Sequence, residues 1–467
     1  CALCLGADLG YRRARRRCVG EPVGGFGALF GSLAMMMLAG FDFLAIRGGT
    51  GASVANVSKV YFSPVLFLNH AATNPVFSFL SSLGDHKDYA AEYPFYDEPT
   101  RAAKFEALRG NRPASAPTRH VLRTERPNVV VVILESFART VMDEQVDGEP
   151  VMPHMRRLRE EGIWFENFFA NSFRTDRGEV ALLSGFPAQT RTSIMKLPGK
   201  SRSLPSLARS LDSAGYATSF SYGGDLNFTD QASYMYATGW QELVWQKDLH
   251  FATTPSDWGY DDAVMCDWFA DRVIDLDRRG EPFLAGLLTL SSHKPFDVPF
   301  EKFENRILNA FAFSDECVGR MVERLKASPA WDNLLLVLVA DHGYPYPRSL
   351  TYNEPLRHRI PMIWTGGAVA APCVVEEYAS QIDLCATLLG QLGLPHDDYD
   401  YSKDIFAPAP PRKFAYYTFN DGFGVVAASG AVVRDATTQQ PVSGDAPELL
   451  ELGRTMLPTT YVDISRR

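Results

Sequence analysis

NVVVVILE, residues 128–135, is an unbroken and largely β-branched apolar run closed by a single carboxylate. A strand wetted on one face alternates apolar and polar residues. One buried on both faces reads as a continuous apolar stretch, as in a parallel sheet covered by helices. Working outward, the same pattern returns at regular intervals. MPHMRRLREEG (152–162) predicts a helix stopped at a glycine, IWFENFFA (163–170) a strand, and RGEVALLSG (177–185) a helix. LPSLARSLDSAG (204–215) leads as a helix into the strand YATSFSY (216–222), and PFLAGLLTL (282–290) and NLLLVLVAD (333–341) are further buried strands. IPMIWTGG (360–367) and DLCATLLGQLG (383–393) continue the series. Strands alternating with helices specify an α/β domain with a mostly parallel sheet sandwiched by helices, over about 128–440. The tail, 441–467, carries little pattern and is expected to be peripheral.

Upstream the character changes. Residues 23–46, VGGFGALFGSLAMMMLAGFDFLAI, hold one charge, Asp42, near the far end. A membrane span needs about 20 mostly apolar residues, so this segment qualifies as a transmembrane helix; a buried core helix is the competing reading. Residues 1–22 form a basic segment with Arg12, Arg13, Arg15, Arg16 and Arg17. Excess arginine marks the cytoplasmic flank of a span, which places the chain after Arg47 outside the cytoplasmic membrane. Residues 47–127 are an irregular connector: 57–83 is aromatic-rich and broken by Pro64 and Pro75, and 109–127 is a polar linker ending at Pro127. The first residue is Cys1 rather than Met, so more chain is expected before it.

The chain has 467 residues, 46% hydrophobic and 22% charged, which are ordinary globular proportions. A net charge of −9, with no long basic run beyond the first twenty residues, argues against nucleic acid as a partner. The seven cysteines lack zinc-module spacing, leaving buried free thiols or a single disulfide as the alternatives.

In open α/β sheets ligands gather beyond the carboxyl ends of the strands. The polar residues at those ends are Glu135, then Asp341 and His342 followed by Gly343, His293, and Gly223-Gly224-Asp225. Thr175 lies just before a helix. Carboxylate oxygens with an imidazole nitrogen suit manganese or zinc and are less specific for magnesium. Each member has a structural alternative: Asp341 as a cap, Glu135 as a solvated edge, Thr175 as an N-cap. Near a metal and a helix N-terminus, however, the Thr175 hydroxyl becomes a candidate nucleophile toward phosphorus.

The ordered set LESF (134–137), MPHMRRLREEGIWFENFFA (152–170), RTDRGEVALLSGFP (174–187), YGGDLNF (222–228), SSHKPF (291–296), ADHG (340–343) and IPMIW (360–364) resembles the lipoteichoic acid synthase-like branch of the alkaline phosphatase/sulfatase superfamily. The likeness spans roughly 128–395. It implies an alkaline phosphatase-like fold anchored in the inner membrane, with its catalytic domain extracytoplasmic or periplasmic. It also implies one divalent ion, manganese first with zinc or magnesium as alternatives, held by Glu135, Thr175, Asp341 and His342, with Thr175 as nucleophile. His293 matches the substrate-binding histidine, and Asp225, Asn227 and Arg177 are further substrate-side candidates. For a second metal only His358 and Asp225 offer themselves.

The implied activity moves a phosphoglycerol-like head group from a phospholipid donor to an envelope glycan or glycerol acceptor through a phosphothreonine. The alternatives are a phosphodiesterase, phosphatase or sulfatase-like hydrolase of the same fold, and a scaffold on a decayed enzyme fold. Two departures bear on the substrate. The nucleophile sits in Arg174-Thr175-Asp176-Arg177 rather than a Ser-rich context, and 223–230 lacks the aromatic and basic pair that grips glycerol phosphate in Gram-positive synthases. The C-x-P-x-R signature that sulfatases convert to formylglycine is absent.

Overall fold

The computed structural model describes residues 12, 25–51, 53–83, 87–110, 118–408 and 412–467. The chain divides into two compact units, Cys1–Ala55 and Asn56–Arg467. In the first, Gly25–Arg47 is a 23-residue helix with exposed apolar side chains. Its portion Leu29–Arg47, of mean hydropathy 1.9, is the one helix among the described residues long and apolar enough to cross a membrane, by length and composition. Residues 23 and 24, and the basic segment apart from Arg12, lie outside the described residues.

The second unit is built on eight strands: β1 (Asn128–Leu134), β2 (Ile163–Phe165), β3 (Ala217–Tyr222), β4 (Glu242–Trp245), β5 (Phe283–Leu288), β6 (Leu334–Ala340), β7 (Met362–Thr365) and β8 (Cys373–Val375). Their order is β8-β2-β7-β6-β1-β5-β3-β4. The sheet is mixed but mostly parallel, as the apolar runs predict. β1 pairs in parallel with β5 and β6, and β3 with β4 and β5, while β7 runs against β6 and β2. Every residue of β1, β5 and β6 is buried, which is why these three strands carry no alternation. Helices such as Pro153–Glu161, Thr175–Ser184, Asp262–Asp277 and Arg306–Lys326 join the strands and pack around the sheet. The strand expected over 163–170 is broken into β2 and the short piece Phe168–Phe169, which pairs elsewhere, with Ala379–Ser380.

The C-terminal part is more ordered than its sequence suggests. Phe414–Phe419, Gly422–Ala427, Gly430–Asp435 and Pro441–Ser443 form a four-stranded antiparallel sheet. The last residues are not peripheral. Pro447–Arg466 is a 20-residue helix that buries Leu449, Met456, Leu457, Tyr461 and Ile464. It packs on Glu98–Arg109 of the connector, where Arg101 donates to the Thr459 hydroxyl at 3.1 Å.

The start of the connector divides its loyalties. Ser58 and Asn69 are buried, and the Asn69 side chain ties the 62–63 turn with three hydrogen bonds. The short helices Leu66–Ala72 and Pro75–Ser82, however, turn Phe67, Val76, Phe79 and Leu80 out to solvent, each at least 60% exposed. Cys266, Cys317, Cys373 and Cys385 are free thiols, which favours the thiol alternative for these four; Cys1, Cys4 and Cys18 lie outside the described residues.

Candidate active site

The site grows from the carboxyl ends of β1 and β6, which lie side by side with Leu134 opposite Ala340. The residues that follow, Glu135 and Asp341, therefore emerge next to each other. Ser136 adopts φ +59°, a left-handed conformation uncommon for a side-chain-bearing residue. This turn aims its N–H at Asp341 Oδ1, 2.7 Å away, and its hydroxyl at Glu135 Oε1, 2.6 Å away. The Glu135 backbone is pinned on the other side. Its N–H donates to the Thr289 hydroxyl at 2.9 Å, and its carbonyl accepts from the Ser292 hydroxyl at 2.6 Å. Gln381 steadies Asp341 by donating to the carbonyls of Ala340 and Asp341, both at 2.7 Å.

Thr175 arrives from a third element. It opens the helix Thr175–Ser184 and donates its hydroxyl to Glu135 Oε2 at 3.3 Å. Gly178 makes this approach feasible, because a Cβ there would sit 2.1 Å from the Asp341 carbonyl oxygen. His342 Nε2 lies 3.8 Å from Glu135 and 3.5 Å from Asp341. Glu135, Asp341 and His342 thus bring one ligand atom each within 4.8 Å of one another.

The electrostatics are those of an uncompensated acidic pit. Asp341 is fully buried, and its Oδ2 has no hydrogen-bond partner. Burial, and then the charge of Asp341, push the Glu135 carboxyl well above the ordinary carboxylate range. One turn along from Thr175, Glu179 is fully buried with both oxygens unpartnered, and burial together with Asp341 and Asp176 drives it upward too. Buried charge is retained when it is paired or bound to a metal. Two carboxylates, an imidazole and a hydroxyl around an orphaned oxygen are a donor set that fits a divalent cation. Glu135, Thr175, Asp341 and His342 are the residues that would hold it.

These groups open onto a cavity of about 220 Å³ whose walls include Arg174, Tyr222, Phe228, Trp258 and His293. His293 Nδ1 lies 2.8 Å from the Lys294 carbonyl, so in the neutral ring the proton sits on Nδ1 and Nε2 keeps its lone pair. Burial, and the neighbouring His342, hold His293 below the ordinary imidazole value. The helix N-terminus at Thr175 adds unsatisfied N–H groups suited to an anion.

Other candidates lie elsewhere. Arg177 is buried, donates to the Ser172 hydroxyl at 3.3 Å and rests 5.3 Å from the Phe173 ring; it is not among the residues walling the cavity. Asp225 folds back onto the N–H and side-chain amide of Asn227, and both line a separate hollow with Trp245 and His250. His358 is stacked 3.9 Å from Tyr417, bonds the Tyr352 carbonyl, and is pushed by burial down to about 3. Neither it nor Asp225 joins the metal-ligand group. Conversely Ser136, Thr289, Phe228 and Trp258 shape the site without having been picked out from the sequence. Ser136, adjacent to Glu135 in LESF, and Phe228, the last residue of YGGDLNF, lie inside motifs the sequence offers.

Residues 127–394, more than half of the chain, match the sulfatase family. The chain belongs to that family. It carries a sulfatase-family enzyme domain. Phosphoglycerol transferase I of Xanthomonas axonopodis pv. citri is 27% identical over 331 residues, which cover 64% of this chain and 45% of that protein. Lipoteichoic acid synthase 2 of Bacillus subtilis is 23% identical over 312 residues, 59% of this chain and 46% of that protein. The chain therefore spans about half the length of the curated relatives it matches. Among solved structures, an alkaline phosphatase superfamily protein from Vibrio parahaemolyticus aligns with a TM-score of 0.70 at 21% identity, covering 81% of this chain and 98% of that one. The lipoteichoic acid synthase LtaP from Listeria monocytogenes aligns at 0.65 and 18% identity, covering 78% and 98%. Both share the fold.

Proposed function

We propose that this sulfatase-family domain is a membrane-anchored, divalent-metal-dependent phosphotransferase. It moves a phosphoglycerol-like head group from a phospholipid to a hydroxyl acceptor through a phosphothreonine at Thr175. The observation that carries the reading is the position of the Thr175 hydroxyl. It stands at a helix N-terminus, 3.3 Å from Glu135, whose carboxylate groups with His342 and with Asp341, the bearer of an orphaned oxygen. The activities of the relatives, phosphoglycerol transfer and lipoteichoic acid synthesis, point the same way.

A divalent ion held by Glu135, Thr175, Asp341 and His342, manganese first with zinc or magnesium as alternatives, would neutralise phosphate oxygens and lower the pKa of the Thr175 hydroxyl. Thr175 Oγ attacks the donor phosphorus and loses the proton that Glu135 Oε2 accepts in the resting site. The bond from phosphorus to the diacylglycerol oxygen breaks, and that oxygen takes up the proton that Thr175 released, so this half-reaction is proton-neutral. A second hydroxyl then displaces Thr175. His293, with Nε2 unprotonated, is the group on the cavity wall that can receive that hydroxyl's proton. The helix N-terminus and the side chain of Arg174 favour the phosphate charge throughout.

Membrane attachment is supported by two separate features. One is the apolar helix Leu29–Arg47 with arginines before it, a charge pattern that supports an inner-membrane anchor with the catalytic domain on its extracytoplasmic side. The other is the exposed apolar face of 62–83, suited to a lipid surface. That connector also braces the cavity wall. The Ser58 hydroxyl accepts from Ser233 N at 2.8 Å, and the Asn56 amide donates to the Asn227 carbonyl at 2.7 Å.

The test is diacylglycerol release from phosphatidylglycerol by purified protein supplied with manganese. Thr175→Ala is expected to reduce release by roughly a thousandfold or more, with an unchanged melting curve. Full activity in Thr175→Ala would overturn the mechanism.

A further inference from the structure

Most of the large apolar side chains that the second unit exposes come from one stretch. Phe62, Phe67, Val76, Phe79 and Leu80 are turned out, and Val65, Leu68 and Leu83 stand beside them. No Asp, Glu, Lys or Arg occurs between Lys59 and Asp85. Single apolar residues on a surface need no explanation, but a charge-free run that exposes so many marks a contact.

Charge, length and backbone pairing say what covers it. Protein interfaces carry a polar rim, and this stretch supplies none of the charges such a rim uses. The helices Leu66–Ala72 and Pro75–Ser82 have 7 and 8 residues. Each reaches roughly 10–12 Å, against about 30 Å of hydrocarbon core, so neither crosses a bilayer and both suit its surface plane. The turns beside them are closed by asparagines. Asn69 Oδ1 accepts from Phe62 N at 3.0 Å and Ser63 N at 3.1 Å, and Asn74 Oδ1 accepts from Val76 N at 2.9 Å and Phe77 N at 3.2 Å. Backbone groups paired in this way tolerate the loss of water that contact with lipid imposes.

The other side of the same stretch is fastened to the catalytic cavity. Just before it, the Ser58 hydroxyl accepts from Ser233 N at 2.8 Å in a buried bond, and the Asn56 amide donates to the Asn227 carbonyl at 2.7 Å. These two bonds bracket residues 228–231, of which Phe228, Thr229 and Gln231 line the cavity at Thr175. The bracketed backbone is strained. Thr229 and Asp230 take φ +56° and +65°, two left-handed side-chain-bearing residues in succession. Among the described residues, Thr229 Oγ1 and Gln231 Oε1 are buried without a hydrogen-bond partner. Such a conformation persists only where its surroundings over-determine it, and here 56–58 is part of those surroundings.

We propose that residues 57–83 form a bilayer-sensing element, whose docking on a lipid surface holds the strained wall 228–231 in place. Its role is distinct from anchorage. The apolar face gains free energy from lipid only in the placement that sets it on the bilayer. Asn69 ties that face to the 62–63 turn, close behind Ser58. A surface that favours one placement of 57–60 therefore favours one conformation of the wall.

The test reads docking and coupling separately, in the full chain reconstituted into vesicles of phosphatidylethanolamine and phosphatidylglycerol. With brominated acyl chains, the fluorescence of Phe67→Trp, above the background of the unmodified protein, is expected to be quenched by about half or more. In hydrogen exchange, the peptide 227–237 should exchange about tenfold faster in Phe67→Glu/Phe79→Glu/Leu80→Glu, whose changes are all exposed, than in the unmodified protein. Ser58→Ala should speed the same exchange while Phe67→Trp in that background stays quenched, an outcome that a mere anchor would not produce. Unquenched fluorescence would overturn the docking and assign the face to a protein partner or a second copy. Unchanged exchange in either the triple variant or Ser58→Ala would overturn the coupling. Neither readout depends on the reaction at Thr175.

Discussion

Two clusters of buried charge in this molecule contain similar groups in opposite circumstances. At the strand ends, Glu135 and Asp341 sit together with Glu179 below them, and three of their oxygens, Asp341 Oδ2 and both of Glu179, have no partner. Behind the C-terminal sheet, Asp383 is surrounded instead by Lys403 and Arg412, with nearest approaches of 3.9 and 3.6 Å. Lys403 Nζ donates to the carbonyls of Tyr378, Arg412 and Phe414, and Asp383 accepts from Ser380 N at 2.9 Å and Lys403 N at 3.1 Å. The second cluster mixes signs: Lys403 and Asp383 are hydrogen-bonded, and Arg412, whose Nε and Nη2 have no hydrogen-bond partner, faces an opposite charge, so the cluster serves the fold. The first concentrates one sign and leaves acceptors open, an arrangement a cation would complete. The contrast separates structural burial of charge from functional burial more sharply than burial alone.

The largest effect that would sharpen this contrast is in the acidic cluster. Asp341→Asn should abolish binding of a divalent ion in calorimetry and lower turnover by about a thousandfold or more. The melting temperature of the ion-free protein should nevertheless not fall, because one like charge has been removed. Asp383→Ala should do the reverse. It strands two buried cations and should cost about 3–5 kcal/mol in denaturant unfolding, while the ion is bound as before. If Asp341→Asn destabilises as much as Asp383→Ala, the comparison breaks.

The smallest effect is a pH dependence. Burial pulls Lys403 down to about 8 against an unfolded value of 10.5. Below pH 8 both states are protonated. Between about 8 and 10.5 the unfolded state binds the extra proton, so stability from this group rises with pH across that window, by up to roughly 3 kcal/mol. Comparing unfolding at pH 8 and pH 10 in the unmodified protein and in Lys403→Met should show the variant lacking that rise.

Much of the site was legible because a strand buried on both faces must be apolar to its end, so the first polar residue marks the rim. Glu135, Asp341 and His342 are the residues that rule picks out, and β1 and β6 being neighbours brings them together. Arg177 lies off the cavity wall because proximity in sequence is not proximity in a helix. Two residues on from Thr175 it points about 200° away, into the packing with Phe173. Asp225 satisfied a local turn with Asn227 before any ligand could claim it. Trp258 and Phe228 carry no strand-end signal, since glycine contacts between distant loops place them. The C-terminal sheet does leave a trace in the sequence. Asn420-Asp421 joins two apolar runs, and Asp421 takes φ +68° in the tight turn between Phe419 and Gly422.

The most direct test is peptide mass spectrometry of the protein quenched during turnover of phosphatidylglycerol. The account predicts a glycerophosphoryl adduct on the peptide containing Thr175, absent in Thr175→Ala and without added divalent ion. Steady diacylglycerol release with Thr175 unmodified at every time point, or an adduct on another residue, would contradict it.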